Sequence, residues 1–448
     1  MQLQQALESV AGSVVPADFG RFREHIDPAW IDEALNATGT ASVRRRRFPA
    51  EQAVWLVVGM GLLRQESIER VVAMLNLVLP GSGGQAAAKS AISKARKRLG
   101  EEPLAHLFTT TADRWASQSA DRHRWRGLSL HGLDGTTFRA PDSTENWAAF
   151  GGQCGNGTRN GSAYPLVRLV AVMALRSHLL SALYFGDYAT GETTLSEEFW
   201  RELPDNSLTV ADRNFLIADN LTQLERSGSN RHWLTRAKSQ TRLRVITQLG
   251  RHDALVEITL SDQTRRKYPN LPSVWTARAI TYQRKGFRPS TLLTSLLDEK
   301  QYPADELVAL YHERWEIELG YDEIKTHLLD RQEAIRSRTP DGVRQEIWGI
   351  ALAYNLVRVE MERAADEVGV EPNRMSFVNA VAFIRSAWLR WSTQPLAPGR
   401  IPEGLLDLRR HLKLLILPPR RPDRVYPRAV KIKMSAYNRK PPTGKGRK

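Results

Sequence analysis

The 448-residue chain is long enough to bury a sizeable core and to divide into more than one structural unit. Charged residues make up 25% and hydrophobic residues 42%, as in soluble globular proteins, and no apolar run approaches the roughly 20 residues that span a bilayer. A single cysteine, Cys154, excludes an internal disulfide framework and a cysteine-based zinc site. The N-terminus has no secretory signal pattern, so we expect a protein of the reducing cytoplasm.

The charge balance points to a polyanionic partner. The chain carries 64 Lys and Arg against 49 Asp and Glu, a net charge of +15, and residues 420–448 alone hold eleven basic residues and one acid. Basic side chains that neutralise phosphates release condensed counterions, so this distribution favours nucleic acid over the alternatives of solubility alone or contact with membrane lipid. The tail has few apolar residues, and we expect that it does not fold alone.

Residues 1–120 have the pattern of a helical domain. Segment 50–81 has apolar residues at helical spacing and ends in a Pro-Gly pair, and a second, basic helix is predicted over 86–100. The Gly-rich turn at 82–84 fits a helix-turn-helix unit that binds DNA, and it fits equally a helical bundle with a solvated basic face. The candidate DNA contacts in this domain are all basic: Arg44, Arg45, Arg46, Arg47, Lys94, Lys97 and Arg98.

After residue 120 the pattern changes to mixed strands and helices, which indicates an α/β core. Short alternating runs then predict an all-β insertion, after which the chain returns to long helices. The predicted divisions are a helical N-terminal DNA-binding domain, a first core part, a β-rich insertion, a second core part and a C-terminal region with the basic tail, over residues 1–120, 121–228, 229–292, 293–391 and 392–448.

The helix predicted over residues 303–329 carries polar side chains on one side. At 100° per residue, four of them fall within an arc about 60° wide: Tyr311, Arg314, Glu318 and Lys325. The two cationic groups could bind a phosphate backbone, while the carboxylate could hold a metal ion that bridges to it. An exposed helix with ion pairs at i, i+4 spacing explains the same pattern, and Asp322 shares the arc, so helix geometry alone does not select Glu318.

Two aspartates follow apolar strands. Asp134 comes after the run GLSLHGL, and Asp212 comes after SLTVA. A carboxylate at such a position is poorly solvated unless it has a partner such as a metal ion. Together with a helix-borne glutamate, the two could supply the oxygen ligands that Mg²⁺ prefers, although each alone is also compatible with a turn or capping residue.

The spacing Tyr311-x2-Arg314-x3-Glu318-x6-Lys325 resembles the Y-(2)-R-(3)-E-(6)-K signature of IS4-family insertion-sequence transposases. Further segments are similar to the same family: LDGTTFR around the first aspartate, VADRNF around the second, GDYATGE between them and YPRAVKIKMS near the C-terminus. Segment RRRFPAEQAVWLVVGMGLLRQESIERVV also resembles the N-terminal domain of that family. The resemblance therefore covers nearly the whole chain.

This resemblance implies an RNase H-like catalytic core, as in other DDE transposases and retroviral integrases, interrupted by the β insertion. It implies that Asp134, Asp212 and Glu318 hold Mg²⁺ or Mn²⁺, as a pair of ions. Tyr311, Arg314 and Lys325 would contact phosphates at the transposon end. Some relatives stack a tryptophan of the insertion on a flipped base, for which Trp275 is the nearest candidate, with a buried core tryptophan as the alternative.

The predicted function is that of a cut-and-paste DNA transposase, which cleaves transposon ends and joins them to target DNA. The expected partners are double-stranded DNA, as terminal inverted repeats and target, and a second copy of the chain in a dimer. We expect no membrane or nucleotide cofactor, and a bacterial cytoplasmic protein associated with the nucleoid when bound to DNA. Two alternatives remain: an RNase H-like nuclease that cuts without strand transfer, and a non-catalytic DNA-binding regulator derived from a transposase.

Overall fold

The computed structural model describes residues 26–41, 48–75, 77, 88–153, 164–197, 199–272, 274–284, 287–330, 334–393 and 401–418. Several predicted features lie outside these residues: the Arg44, Arg45, Arg46 and Arg47 run, the 82–84 turn, Cys154 and the basic tail from 420 onwards.

The N-terminal part of the chain is helical, as predicted. Its helices are α1 Pro28–Ala37, α2 Ala50–Leu62, α3 Ile68–Met74, α4 Lys89–Leu99 and α5 Glu102–Arg122. The apolar segment after residue 50 forms two helices, because Ser67 starts a new one by accepting a hydrogen bond from the amide of Arg70. Helix α4 agrees with the predicted basic helix.

Five strands form the core of one sheet: β1 Ser129–Arg139, β2 Leu166–Ala174, β3 Leu180–Gly186, β4 Ser207–Ala211 and β5 Arg231–Arg236. Their order is β3-β2-β1-β4-β5, in which β2 is antiparallel to both of its neighbours, β1 and β3, while β4 and β5 run parallel to β1. The connections carry α6 Thr144–Phe150, α7 Glu192–Leu195, α8 Phe199–Glu202 and α9 Ala218–Arg226. This is the strand arrangement of an RNase H-like core, and it confirms the predicted α/β class.

The β insertion extends the same sheet. It consists of β6 Leu243–Gly250, β7 Asp253–Thr259, β8 Val274–Tyr282 and β9 Ser290–Thr294, with the short helix α10 Asp262–Lys267. These strands form an antiparallel meander that joins the core where β9 pairs with β5, which gives nine strands in one sheet.

The pairing of β5 bears on where the insertion begins. The predicted boundary at 229 places β5 in the insertion, whereas β5 pairs in parallel with β4, as β4 does with β1. The sequence could not show this, because a short alternating run looks the same on either side of the boundary. We therefore propose that the insertion starts after Arg236 and ends with β9 at Thr294 rather than at 292.

The second core part and the C-terminal region are helical. They contain α11 Ala304–Glu313, α12 Trp315–Asp322, a π-helical turn Glu323–Leu328, α13 Pro340–Asp366, α14 Phe377–Thr393 and α15 Ile401–Leu412. The single helix predicted over 303–329 is thus nearly continuous, with Arg314 alone between α11 and α12 and a wider turn at its end. A π-helical turn inserts an extra residue into the helix and is often found at functional sites.

Helix α13 passes through the middle of the molecule and joins the N-terminal helices to the sheet. It crosses α2 where Gly61 meets Gly349, so closely that a β-carbon on Gly61 would lie 2.6 Å from the carbonyl oxygen of Gly349. One apolar cluster includes the buried residues of α2, α13 and one face of the sheet. The described N-terminal helices therefore share a core with the sheet. Within the described ranges, we find no helix that has both the length and the apolar character to cross a membrane.

Candidate active site

The sheet places the two predicted aspartates next to each other. Strands β1 and β4 are parallel neighbours, and their last paired positions are Leu133 and Ala211. Asp134 is the next residue of β1 and Asp212 directly follows β4, so their backbones lie about one strand spacing apart, which is roughly 4.8 Å. Asp212 caps the short turn after β4 by accepting the amide hydrogen of Asn214.

Helix α12 brings the third predicted acid to the same place. The helix packs on β1 at Gly132, where a β-carbon would lie in ordinary contact, 3.5 Å from the Cβ of Ile317. The guanidinium of Arg314 joins the two elements, with one nitrogen 3.3 Å from the Asp134 Oδ2 and another 2.8 Å from the Glu318 Oε1. One cationic group thus contacts a strand-borne and a helix-borne carboxylate.

The electrostatics of Asp134 show that the charges of the other two acids act on its carboxyl group. Burial raises the pKa of Asp134 to about 6, while the Gly135 amide and Arg314 oppose the rise and the charges of Glu318 and Asp212 add to it. The Asp134 Oδ1 accepts the Gly135 amide at 2.8 Å. A carboxylate held among like charges in a poorly solvated position gains stability from a nearby cation.

The chemistry of these donors fits a divalent cation. As the side chains stand, no three His, Cys, Asp or Glu groups of the described segments form a cluster that could enclose a metal ion. Arg314 instead supplies the positive charge to two of the carboxylates. A set of hard oxygen donors already gathered around one cationic group is suited to Mg²⁺ or Mn²⁺, which prefer oxygen ligands.

The geometry favours Glu318 over Asp322 as the third acid. Glu318 is bonded to Arg314, and its charge acts on Asp134. The carboxylate of Asp322 is more exposed and accepts a hydrogen bond from the Thr326 hydroxyl of its own helix. Helix periodicity left open which of these two residues is the third acid, and their contacts favour Glu318 over Asp322.

Lys325 lies beside the acids, on the π-helical turn. Its ammonium group donates to the Thr136 hydroxyl and lies 5.7 Å from the ring centroid of Phe138. Thr136 is two residues after Asp134 on β1 and therefore faces the same side of the sheet. Lys325 is thus positioned along the strand from Asp134.

Tyr311 occupies a different place in the same neighbourhood. Its side chain is buried in the apolar cluster beneath α11. Burial raises the pKa of its phenol, with the charges of Arg314 and Asp212 close enough to contribute. All four residues of the predicted arc therefore lie around the two aspartates, although Tyr311 is much less accessible than Lys325.

A groove of about 1120 Å³ opens beside the acids. It runs from Asp134 and Glu318 past Lys325 to Tyr164. Along its walls lie further polar and apolar side chains: Thr136, Thr137, Phe138, Arg139, Gln153, Tyr321, Asp322 and Thr326. Its length and polar lining suit an extended, charged ligand.

Three residues of the site were missed from the sequence. Tyr321 donates its hydroxyl to the backbone carbonyl of Asp134 at 2.7 Å, although its spacing marks it only as part of an apolar stripe. Thr136 could have been found from its position two residues after Asp134. Glu192, in the GDYATGE segment, packs against Gly135 so closely that a β-carbon there would lie 2.4 Å from its carboxyl carbon. No local pattern predicts that contact.

The other candidate DNA contacts lie elsewhere. Lys94, Lys97 and Arg98 are exposed on α4, while their neighbour Arg96 is tied to Gln345 at the start of α13. Trp275 is 6% exposed in β8 and packs with its ring centroid 5.0 Å from that of Trp233. In this position a core role accounts for Trp275, because its ring has almost no face available to a base.

Comparison with known proteins gives matches over most of the chain. The family model described as Transposase DDE domain matches residues 125–356, and the model described as Insertion element 4 transposase N-terminal matches residues 16–109. The InsG transposase of insertion sequence element IS4, from Escherichia coli K12, is 39% identical over 415 residues, which is 92% of each chain. InsZ of the same organism is 38% identical over 214 residues, 48% of this chain and 70% of InsZ.

Among solved structures, the piggyBac transposase in its synaptic complex with hairpin DNA covers 91% of this chain and 87% of its own, at 10% identity and a TM-score of 0.41. The fold assignment rests on the strand order described above and on the matched DDE domain.

The matched domain and the RNase H-like sheet define the class of protein as a DDE transposase. More narrowly, the chain belongs to the IS4 family of insertion-sequence transposases. It is a DNA transposase, an enzyme that binds DNA and requires a divalent metal ion. The predictions of family, fold class and general activity are confirmed.

Proposed function

We propose that Asp134, Asp212 and Glu318 are the metal-binding catalytic triad of a cut-and-paste transposase. The observation that supports the proposal is that strand pairing and the contacts of Arg314 bring three acids from separate parts of the chain to one end of the sheet. Asp134 and Asp212 follow paired positions of adjacent parallel strands, and Arg314 links Asp134 to Glu318. The raised pKa of Asp134 supports the same grouping.

The proposed reaction has two steps. Water first attacks a phosphodiester at the transposon end and frees a 3′ hydroxyl, and that hydroxyl then attacks a phosphodiester of the target DNA. The second step exchanges one phosphodiester for another, so it needs no external energy source and no nucleotide cofactor. We propose Mg²⁺ or Mn²⁺ as the ion, in a pair that, when bound, would activate the nucleophile and neutralise charge at phosphorus.

The chain itself would position the DNA. Arg314 and Lys325 are the proposed contacts to the scissile strand, since guanidinium and ammonium groups bind phosphate oxygens. The Arg314 Nε is buried, and no partner for it is found among the described residues. We also propose that Tyr311 lies next to the same phosphates, because burial beside Arg314 holds its side chain in place.

The wider DNA path is proposed to include α4, with Lys94, Lys97 and Arg98, and the Arg44, Arg45, Arg46 and Arg47 run. We do not propose a base-stacking role for Trp275, because its side chain is buried. We propose terminal inverted repeats and target DNA as substrates, and a homodimer as the active form, since both ends of an element must be cut together. The site of action would be the bacterial nucleoid.

The test is a cleavage and joining assay. The protein is incubated with Mg²⁺, a labelled duplex carrying the end of the element that bears its gene, and a target plasmid. We expect nicked or cut end DNA and labelled plasmid as the strand-transfer product. Cleavage without labelled plasmid at any Mg²⁺ or Mn²⁺ concentration would indicate a simple nuclease. Binding without cleavage, unaltered by Glu318→Gln, would indicate a DNA-binding regulator.

A further inference from the structure

On the side turned away from the acids, α12 and the start of the π-helical turn carry two more glutamates that the proposed reaction does not use. Glu316 is 2% exposed, and Glu323 follows seven residues later, so both lie on one side of the helix. Glu318 lies about 200° around the helix from Glu316, which is nearly the opposite side. Buried carboxylates are costly unless they are fully partnered, so their partners need an explanation.

Both glutamates are bound by residues from outside the helix. The imidazole of His178 lies with its Nε2 2.8 Å from the Glu316 Oε2, and the Tyr354 hydroxyl donates to the Glu323 Oε2 at 2.8 Å. Arg358 donates to the Nδ1 of His178 at 2.6 Å and also to Glu323. We call these five residues the anchor cluster: His178, Glu316, Glu323, Tyr354 and Arg358.

The hydrogen bonds of the anchor cluster occupy both ring nitrogens of its histidine. The Nε2 of His178 lies against a carboxylate oxygen of Glu316, while its Nδ1 lies 2.6 Å from an Arg358 nitrogen and 3.4 Å from the Glu323 Oε2. Burial acts to raise the pKa of Glu323, but Arg358 and His178 outweigh it and lower that pKa to about 2. The cluster is thus an ordered network of charges rather than a set of alternative contacts.

The backbone of His178 is in a rare conformation, with φ of +63°. A non-glycine residue adopts this left-handed region at a cost, and such residues persist where the surrounding structure over-determines them. His178 lies in the turn between β2 and β3, and its amide donates to the Ala174 carbonyl at 2.8 Å. The turn thereby holds the imidazole in one position against α12.

The same turn is tied to the strand that bears Asp134. Leu175 donates its amide to the Leu130 carbonyl of β1 at 3.1 Å, and β2 pairs with β1 so that Ala171 lies opposite Asp134. A continuous series of backbone and side-chain contacts therefore connects Asp134, through β1 and the turn, to His178. The contact of His178 with Glu316 extends the series to α12, which bears Glu318. Arg358 and Tyr354, both on α13, donate hydrogen bonds to Glu323 and so hold the start of the π-helical turn in place.

We propose that the anchor cluster positions Glu318 relative to Asp134, by locking the rotation and register of α12 from its reverse side. The inference rests on the proposed role of the triad. It adds five residues outside the triad, with His178 and Arg358 as positioning residues rather than catalytic ones. Partners that orient metal ligands commonly change metal affinity or activity by about 10- to 100-fold when they are removed.

The test measures single-turnover cleavage of end DNA by the full-length protein across a range of Mg²⁺ concentrations. The main variant is His178→Asn, because asparagine tolerates the left-handed backbone, so the change reports on the imidazole. We expect the Mg²⁺ concentration for half-maximal cleavage to rise by about 10-fold or more, with an unchanged dissociation constant for the DNA. His232→Asn removes a half-buried histidine bonded to Ser295 instead, and should leave the Mg²⁺ curve in place.

A second pair of variants keeps the inference testable if His178→Asn is poorly folded. Glu316→Gln retains an oxygen that can accept the proton from His178, whereas Glu316→Ala does not. We expect the Gln variant to keep a Mg²⁺ midpoint near that of the wild type and the Ala variant to shift it. Curves that superpose on the wild type, or activity lost equally at every Mg²⁺ concentration in proportion to unfolded protein, would overturn the positioning role.

Glu318→Gln is run alongside to separate this inference from the proposed function. If Glu318→Gln still cleaves, the triad itself is wrong. If that variant is inactive while His178→Asn and Glu316→Ala keep the wild-type Mg²⁺ midpoint, the triad stands and only the anchor cluster fails.

Discussion

The two sides of helix α12 differ in how their charges are satisfied. On the side of the acids, Arg314 contacts both Glu318 and Asp134, and Glu318 is 34% exposed at the groove. On the reverse side, Glu316 and Glu323 are enclosed by His178, Tyr354 and Arg358. Both sides carry acids and a guanidinium, but only the first opens to solvent.

The difference teaches which contacts can change when ligands bind. An ion pair at the edge of a groove can be exchanged for a metal ion and a phosphate, because water and ligand reach it. Removing one partner from a buried network costs more stability, because the remaining charge is left without solvent or a partner. We therefore expect the groove side to rearrange on binding and the reverse side to stay fixed.

The largest expected effect is from Glu318→Gln on the groove side. The variant keeps the shape of the side chain and a partner for Arg314 but loses the charge that a metal ion requires. We expect cleavage to fall by more than about 100-fold, beyond the range for residues that only orient ligands, while DNA affinity stays near that of the wild type. Asp322→Asn, four residues further along the helix, is the matched control and should cleave normally.

The next effect concerns Asp134, the poorly solvated acid on the groove side. Burial raises the pKa of Asp134 to about 6 from its ordinary value of 3.8. Between these two pH values the folded protein keeps a proton that the unfolded chain has lost, so metal-free stability rises as pH falls through this window. Above pH 6 the full cost of the buried charge remains.

Asp134→Asn should therefore stabilise the metal-free protein at pH 8, by on the order of 1–2 kcal/mol, at the expense of activity. The gain should shrink as the pH is lowered from 6 to 4, and urea unfolding at several pH values measures it. A stability difference that does not vary with pH would contradict the raised pKa.

A smaller effect is expected from Gly320→Ala on the reverse side. A β-carbon there would lie 2.2 Å from the terminal methyl of Met173 and 3.2 Å from the Tyr354 hydroxyl. Alanine is favoured in helices by roughly 1 kcal/mol, but overpacking costs about 1–3 kcal/mol, so we expect a net loss of about 1 kcal/mol in unfolding free energy. Leu319→Ala, on the exposed side of the same helix, serves as the comparison and should change stability by less than about 0.5 kcal/mol. A Gly320→Ala variant as stable as the wild type would show that the reverse side can accommodate the added methyl group without loss of stability.

The smallest effect is expected from Lys325→Met. If the ammonium group contacts one DNA phosphate, its loss should lower the slope of log affinity against log salt by about one and weaken binding several-fold at low salt. Fluorescence anisotropy with end DNA at a series of salt concentrations measures both. An unchanged slope would remove Lys325 from the DNA path.

Much of this arrangement could be predicted from the sequence. The runs before Asp134 and Asp212 predict strands that end in acids, and the spacing from Tyr311 to Lys325 resembles a family signature, so fold class, family and candidate triad were all accessible. Local patterns of this kind depend on residues within a few turns or one strand of each other.

The features that were missed depend on long-range packing. His178 and Arg358 meet across 180 positions of the chain, and nothing near either residue marks the contact. The parallel pairing that makes β5 a core strand is likewise invisible in its own short run. The π-helical turn at Glu323 is bonded to α13 and contains no proline or glycine, so its own residues do not predict it.

The central claim is tested most directly by calorimetric titration of Mn²⁺ into the protein bound to end DNA. We predict saturable binding that is weakened at least 10-fold in each of Asp134→Asn, Asp212→Asn and Glu318→Gln, by loss of a direct ligand. Asp322→Asn should bind as the wild type does. Equal Mn²⁺ affinity in the wild type and the three triad variants would contradict the account.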